Sequence, residues 1–185
     1  EAGIVYSLAY GDQPALICEM VDWARAAGFE VVAAGKGTKY LPEYHRSTPD
    51  TVWPYYGLSA EDAKLGGMNA QMFNSFLDGT KSAIEMAAVA NATGLRPAAT
   101  GLAFPPCGVD DLAQVLCPRE DGGLLTRRGV VDFTVAPGVA PGVFVVAEMR
   151  HPRLRERMND LRLGEGPYYT FYRPYHLTSL EVPLS

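Results

Sequence analysis

The stretch from residue 3 to residue 34 constrains the fold more than any other part of the chain. GIVYSLA (3–9) is β-branched and apolar, and FEVVAA (29–34) is as apolar a strand as the chain contains. Between them, Asp12 is placed to cap a helix and Pro14 stands in its first turn, where a missing N–H costs nothing. Leu16, Ile17, Met20, Val21, Ala24 and Ala27 follow with helical spacing, and Gly28 stands where a helix is closed. Strand, helix and strand in this order predict a parallel pair with a right-handed crossover.

The remainder reads as additions to that unit. A short helix is expected near 59–65 and a long one over 69–93, closed by Gly94 with Pro97 beyond. Residues 97–123 are rich in Pro and Gly, with a short helix at 110–116. Strands at 130–135 and 142–148 are joined by APGVAPG and read as an antiparallel hairpin. HPRLRERMND is a charged surface segment, and 168–172 is a last strand. The expected fold class is mixed α/β: a βαβ unit extended by antiparallel strands, with the long helix packed on the sheet.

Composition narrows the function. A formal charge of −5, with no basic run longer than Arg127-Arg128, argues against nucleic acid or acidic membranes as partners. No stretch approaches the ~20 apolar residues of a membrane span, so a soluble, cytoplasmic protein is expected. Cys18, Cys107 and Cys117 are odd in number, lack metal-ligand spacing and read as reduced thiols. The chain opens at Glu1, with strand-like residues from Gly3, and reads as a piece of a longer protein.

Two places concentrate chemistry. The first, GKGTKYLPEYHRSTPD (35–50), follows the second strand, and α/β proteins put chemistry at the carboxyl ends of parallel strands. Gly35 and Gly37 allow close backbone approach, while Lys36 and Lys39 add positive charge. GKGT lacks the leading glycine and spacing of a phosphate-binding loop. Lys36 taken alone reads as a solvated lysine, and Lys39 has the stronger claim beside Tyr40 and Leu41, which look buried. His45 is an acid/base candidate near neutral pH, against a plain polar loop residue. Tyr40, Trp53 and Tyr55 read as core and cleft wall. Arg173 and His176, in YRPYHL, offer an anion site, against simple packing of Tyr172 and Tyr175. Cys107 has no partner base and is rejected as a nucleophile.

The second place is the long helix. At about 100° per residue, Asn74, Asp78, Lys81 and Glu85 fall within about 60° of one another. Met72, Phe73, Phe76, Leu77, Ile84, Ala87 and Ala88 cover the opposite arc. One account is a solvated stripe with Asp78–Lys81 and Lys81–Glu85 pairs. The other is a cleft lining in which a desolvated Lys and its carboxylates handle protons. The low charge of the helix favours the cleft.

LAYGDQPALICEMVDWARAAGFEVVAAGKGTKYL resembles the entry to the catalytic domain of homoserine dehydrogenases, and DGTKSAIEMA resembles that family's helix carrying an Asp and a Lys toward substrate. KGTKYLPEYHRSTPDTVW, MFNSFLDGTKSAIEMAAVANATGL, FPPCGVDDL and YRPYHL are similar to a homoserine dehydrogenase-like branch that often carries a SAF domain and includes deoxyxylulose phosphate reductoisomerase-like enzymes. The resemblance implies an NAD(P)-dependent oxidoreductase whose catalytic, substrate-binding domain fills 1–185. Its N-terminal Rossmann domain, at most ending within 1–12, would be missing. It implies Lys81 and Asp78 as the helix pair near the substrate, with Gly37, Thr38 and Tyr40 in the turn. The residues themselves add Lys39 as the alternative catalytic ammonium and Lys36, His45, Asn74 and Glu85 as substrate contacts. Gly11 and Pro14 would border the nicotinamide. Both Asn positions of the family's Asn-Gly-Thr-x-Asn-Tyr turn are Lys here, which suits an anionic, phosphorylated substrate. Expected partners are that small molecule, the rest of the full-length chain and a second copy in a homo-oligomer. Two alternatives remain open. One is a reductoisomerase needing a divalent metal, with Asp78 and Glu85 as ligands. The other is a non-catalytic ligand-sensing domain.

Overall fold

The computed structural model describes residues 10–135 and 138–174. They form two compact units, one from residues before Lys39 and from Met86 onward, the other from Lys39–Glu85. The expected strand at 3–9 lies outside the described residues, as does His176.

In the first unit, α1 (Gln13–Ala26) begins where Asp12 accepts a hydrogen bond from the Gln13 N–H at 2.9 Å, with Pro14 in the first turn. Leu16, Ile17, Val21 and Ala24 are fully buried, and Gly28 closes the helix at φ +84°. The next strand, β1 (Glu30–Gly37), is buried from its second residue to its last. A strand buried on both faces has neighbours on both edges. Here they are β2 (Val130–Thr134), parallel to it, and β3 (Val143–Glu148), antiparallel. The edge strand β4 (Tyr168–Arg173) pairs antiparallel with β3, completing a four-stranded mixed sheet in the order β2-β1-β3-β4. One core cluster joins α1 to Ala34, Val131, Phe133, Val143 and Val145. The other joins Val32, Ala33, Phe144 and Val146 to Cys107, Leu112 and Leu116.

The hairpin expected between 130–135 and 142–148 is not formed. Those strands become β2 and β3, and β1 lies between them. The connection is long enough to bridge the roughly 10 Å that two strand spacings require. It is tied to the end of β1, since the Gly37 N–H donates to the Gly142 carbonyl and the Thr38 N–H to the Thr134 carbonyl, both at 2.9 Å. A Cβ on Gly37 would overlap the backbone of Val139 and Ala140, so only glycine permits this crossing.

The second unit has 3₁₀ turns at Pro42–Arg46 and Trp53–Tyr56, then α2 (Ala60–Leu65) and α3 (Ala70–Leu77). Tyr44, Val52, Trp53, Ala63 and Leu77 form its core, with Phe73 packed against them. The single long helix expected over 69–93 is two. Asp78 and Gly79 separate α3 from α4 (Thr80–Thr93). Gly79 takes φ +88°, and an Asp78 carboxylate oxygen accepts the Thr80 N–H at 2.8 Å, capping α4. The break spoils a wheel drawn through 25 residues. Ile84, expected in the apolar arc, is 65% exposed and Met72 is exposed too, whereas Asn74, Ser82 and Glu85 are buried. Two further short helices among the described residues, α5 (Leu112–Val115) and α6 (Pro152–Asp160), belong to the first unit.

Candidate functional site

At the carboxyl end of β1 stands a buried cation. Lys36 is 5% exposed and lies in register with Phe133 on β2 and Val143 on β3, two members of the core cluster that α1 completes. That register turns its side chain toward the start of α1. Its ammonium donates to the Gln13 amide oxygen at 3.0 Å and lies 5.9 Å from the centre of the Phe133 ring. Gln13, itself buried, donates from its amide nitrogen to the Pro141 carbonyl at 2.7 Å. Burial is the reverse of the solvated lysine that the isolated sequence suggested. Gln13 went unnoticed, although one signal was present: it is a polar residue leading the apolar stripe of Leu16, Ile17 and Met20.

On the neighbouring strand β2 stands a second buried charge that sequence reasoning also passed over. Asp132, 2% exposed, interrupts the apolar strand VVDFTV. Its carboxylate accepts the N–H groups of Ala103 (3.0 Å), Phe104 (3.2 Å) and Phe133 (2.8 Å). Burial raises its pKa above the ordinary carboxylate value, and the three backbone donors offset part of that rise. They also fix Phe104 at φ +50°, with its ring 5.2 Å from that of Phe133. Gly11, at φ +83°, and Pro14 are buried at the entry to α1. Thr38 is half-buried.

In the second unit, Lys39 and His45 are exposed and Tyr40 is half-buried, whereas Leu41 is exposed rather than buried as expected. His45 Nδ1 lies 3.3 Å from the Asp78 carbonyl oxygen; that oxygen only accepts, so Nδ1 carries the proton. The buried Asn74 donates to Asp78 Oδ2 at 2.9 Å. Both Asp78 carboxylate oxygens therefore serve local contacts, one to Asn74 and one to the α4 cap. Lys81 pairs with Glu85 at 3.4 Å and lies over the Phe76 ring at 4.8 Å, with 39% of its side chain exposed. Among the described residues, no ion pair joins Lys81 to Asp78. The structure thus links His45, Asn74 and Asp78 to one another, and Lys81 to Glu85.

The remaining candidates are settled by their surroundings. Burial, followed by the Asp111 and Asp132 carboxylates, pushes the Cys107 thiol up to about 11, which leaves it no thiolate near neutral pH. Arg173 pairs with Glu19 at 3.5 Å. Among the described residues, no group of three or more His, Cys, Asp or Glu side chains is placed to hold a metal ion. Nor is any described helix long and apolar enough to cross a membrane.

A mixed sheet whose central strand ends in a buried, hydrogen-bonded lysine has the form of an α/β catalytic domain, with its polar groups at a carboxyl strand end. The comparisons give the class a family. The model for the family described as "Oxidoreductase DRL, catalytic domain" matches residues 11–182, and the chain belongs to that family. None of the curated proteins matches it.

Proposed function

We propose that this oxidoreductase domain serves NAD(P)-dependent, homoserine dehydrogenase-like hydride transfer to or from a small hydroxy or keto compound. The single observation supporting this reading is the buried Lys36 ammonium at the carboxyl end of β1. A nicotinamide, when bound, supplies or accepts the hydride at the substrate carbon. The chain supplies the rest. In the reducing direction negative charge develops on the carbonyl oxygen, and a preorganised cation in a dry site stabilises it strongly. The same ammonium delivers the proton that completes the alcohol; in the oxidising direction the neutral amine takes it back. The left-handed Gly11 turn and Pro14 let the backbone approach a flat ring at the entry to α1. The positive charge of Lys36 favours an anionic, phosphorylated substrate.

The test is a screen of hydroxy and keto compounds, free and phosphorylated, with the full-length enzyme, following NAD(P)H absorbance. On the substrate found, Lys36→Met is expected to lower kcat by about 10²-fold or more, in the range of lost acid–base catalysis, with NAD(P)H affinity unchanged. Turnover within about tenfold of the unaltered enzyme, a change of ~1.4 kcal/mol, removes Lys36 from the proton path.

A further inference from the structure

Lys36 is a flexible side chain, and a cation that must meet a developing oxyanion needs fixing. We propose that Gln13 is its positioning residue, and that the same amide ties Lys36 to the connection between β2 and β3; the proposal rests on Lys36 as the proton-handling group.

The assignment of the amide is unambiguous. An ammonium only donates and a proline carbonyl only accepts, so the oxygen of Gln13 faces Lys36 and its nitrogen faces Pro141. Both ends of the short path are rigid. Gln13 opens α1, where the Asp12 cap holds its own N–H and where the neighbouring Leu16 and Ile17 are fully buried. The connection is held next to Lys36 by the Gly37 N–H on the Gly142 carbonyl and closes on itself through the Gly142 N–H on the Val139 carbonyl at 2.7 Å. The Tyr172 hydroxyl, 3.1 and 3.0 Å from the carbonyls of Gly138 and Val139, holds its far side. The choice of residue also makes chemical sense. A neutral amide orients the ammonium without adding a charge of its own, whereas a glutamate there would pair with the ammonium and turn a second acceptor toward the Pro141 carbonyl. A methionine fills the same space and holds neither partner.

The experiment compares Gln13→Met and Gln13→Glu in the full-length enzyme, reading the titration of Lys36 by the ¹³Cε shift of labelled lysine. The resonance is assigned by its loss in Lys36→Met. Removing an acceptor from the charged form disfavours it, so the midpoint falls in Gln13→Met; adding an opposite charge favours it, so the midpoint rises in Gln13→Glu. The kcat of Gln13→Met is expected to drop tenfold to a hundredfold, the scale of a roughly 1 Å misplacement, with KM changing less and the Lys36 limb of the pH–rate profile moving with the titration. A lower melting temperature with an unmoved Lys36 titration in both variants overturns the proposal and leaves Gln13 a packing residue. Failure of Lys36→Met to slow turnover would strike the proton path alone, because the titration tests Gln13 without reference to rate.

Discussion

Lys36 and Lys81 differ in burial and in the group that the structure places against each. Lys81 lies on a helix surface, 39% exposed, four residues from the carboxylate that balances it. Lys36 is buried at a strand end and is held by a neutral amide that is itself anchored to a backbone carbonyl. An exposed ion pair at helical spacing contributes a few tenths of a kcal/mol and is screened by salt. A buried ammonium is sensitive to every change in its partners, which suits a group whose proton must move. Charges that are neighbours along a helix are thus easy to read from a sequence and weak in consequence, while the buried charge meets Gln13 from 23 residues away. The largest predicted effect breaks or upholds this contrast. In steady-state assays of the full-length enzyme, Lys36→Met should lose about a hundredfold in kcat, equivalent to ~2.7 kcal/mol, and Lys81→Met less than tenfold. The opposite order would move the chemistry to the helix.

Two glycines sharpen the same contrast between the units. Gly37 is required for space, because any Cβ there would overlap the backbone of the crossing connection. Gly79 is required for conformation alone, at φ +88° with nothing near its missing Cβ. Gly37→Ala is expected to destabilise by about 2 kcal/mol, as overpacking does, and to disturb the Gln13–Pro141 contact with it. Gly79→Ala should cost about 1 kcal/mol, the lower range for a non-glycine residue held left-handed. Urea denaturation followed by far-UV circular dichroism reads both. A greater loss at Gly79 would mean that the break between α3 and α4 carries more of the stability than the strand crossing does.

How much was legible follows from the range of the interactions. α1 was readable to its ends because Asp12, Pro14 and Gly28 act within a turn of where they stand. β1 was readable as a buried strand, but the burial of its one lysine, Lys36, was not. A strand covered on both faces shows no alternation, so nothing in the sequence marks Lys36 as facing inward. The pairing of β2 and β3 was misread because two Pro-Gly turns suggest a local hairpin, while the insertion of β1 between them is decided by a strand nearly a hundred residues earlier. The helix break had a local signal, Asp78-Gly79 followed by Thr80, that an unbroken apolar periodicity overrode. The site divides similarly. The Gly35–Tyr40 turn stood out by composition, whereas Gln13 and Asp132 act through partners 23 and 29 residues away, which no pattern displays.

The smallest effects come from the two carboxylates, which resemble each other in accepting backbone N–H groups and differ in burial. Asp78→Ala removes the cap of α4 and the Asn74 contact and should cost about 1 kcal/mol, a typical loss for a helix cap. Asp132 is expected to reveal itself instead in the pH dependence of stability. Its folded-state pKa lies above its ordinary value of 3.8, so the folded protein binds the proton more tightly than the unfolded chain. Linkage then makes its contribution to stability fully present below the unfolded value and lost as pH rises through the folded one. Asp132→Asn cannot titrate. The stability of the unaltered protein relative to this variant should therefore decline with rising pH just above 3.8 and level off once the folded-state carboxyl is ionised. Urea midpoints taken at closely spaced pH values check the slope. A difference that grows with pH in that window would mean that the three N–H donors outweigh burial and hold the carboxylate, rather than the acid, as the favoured form.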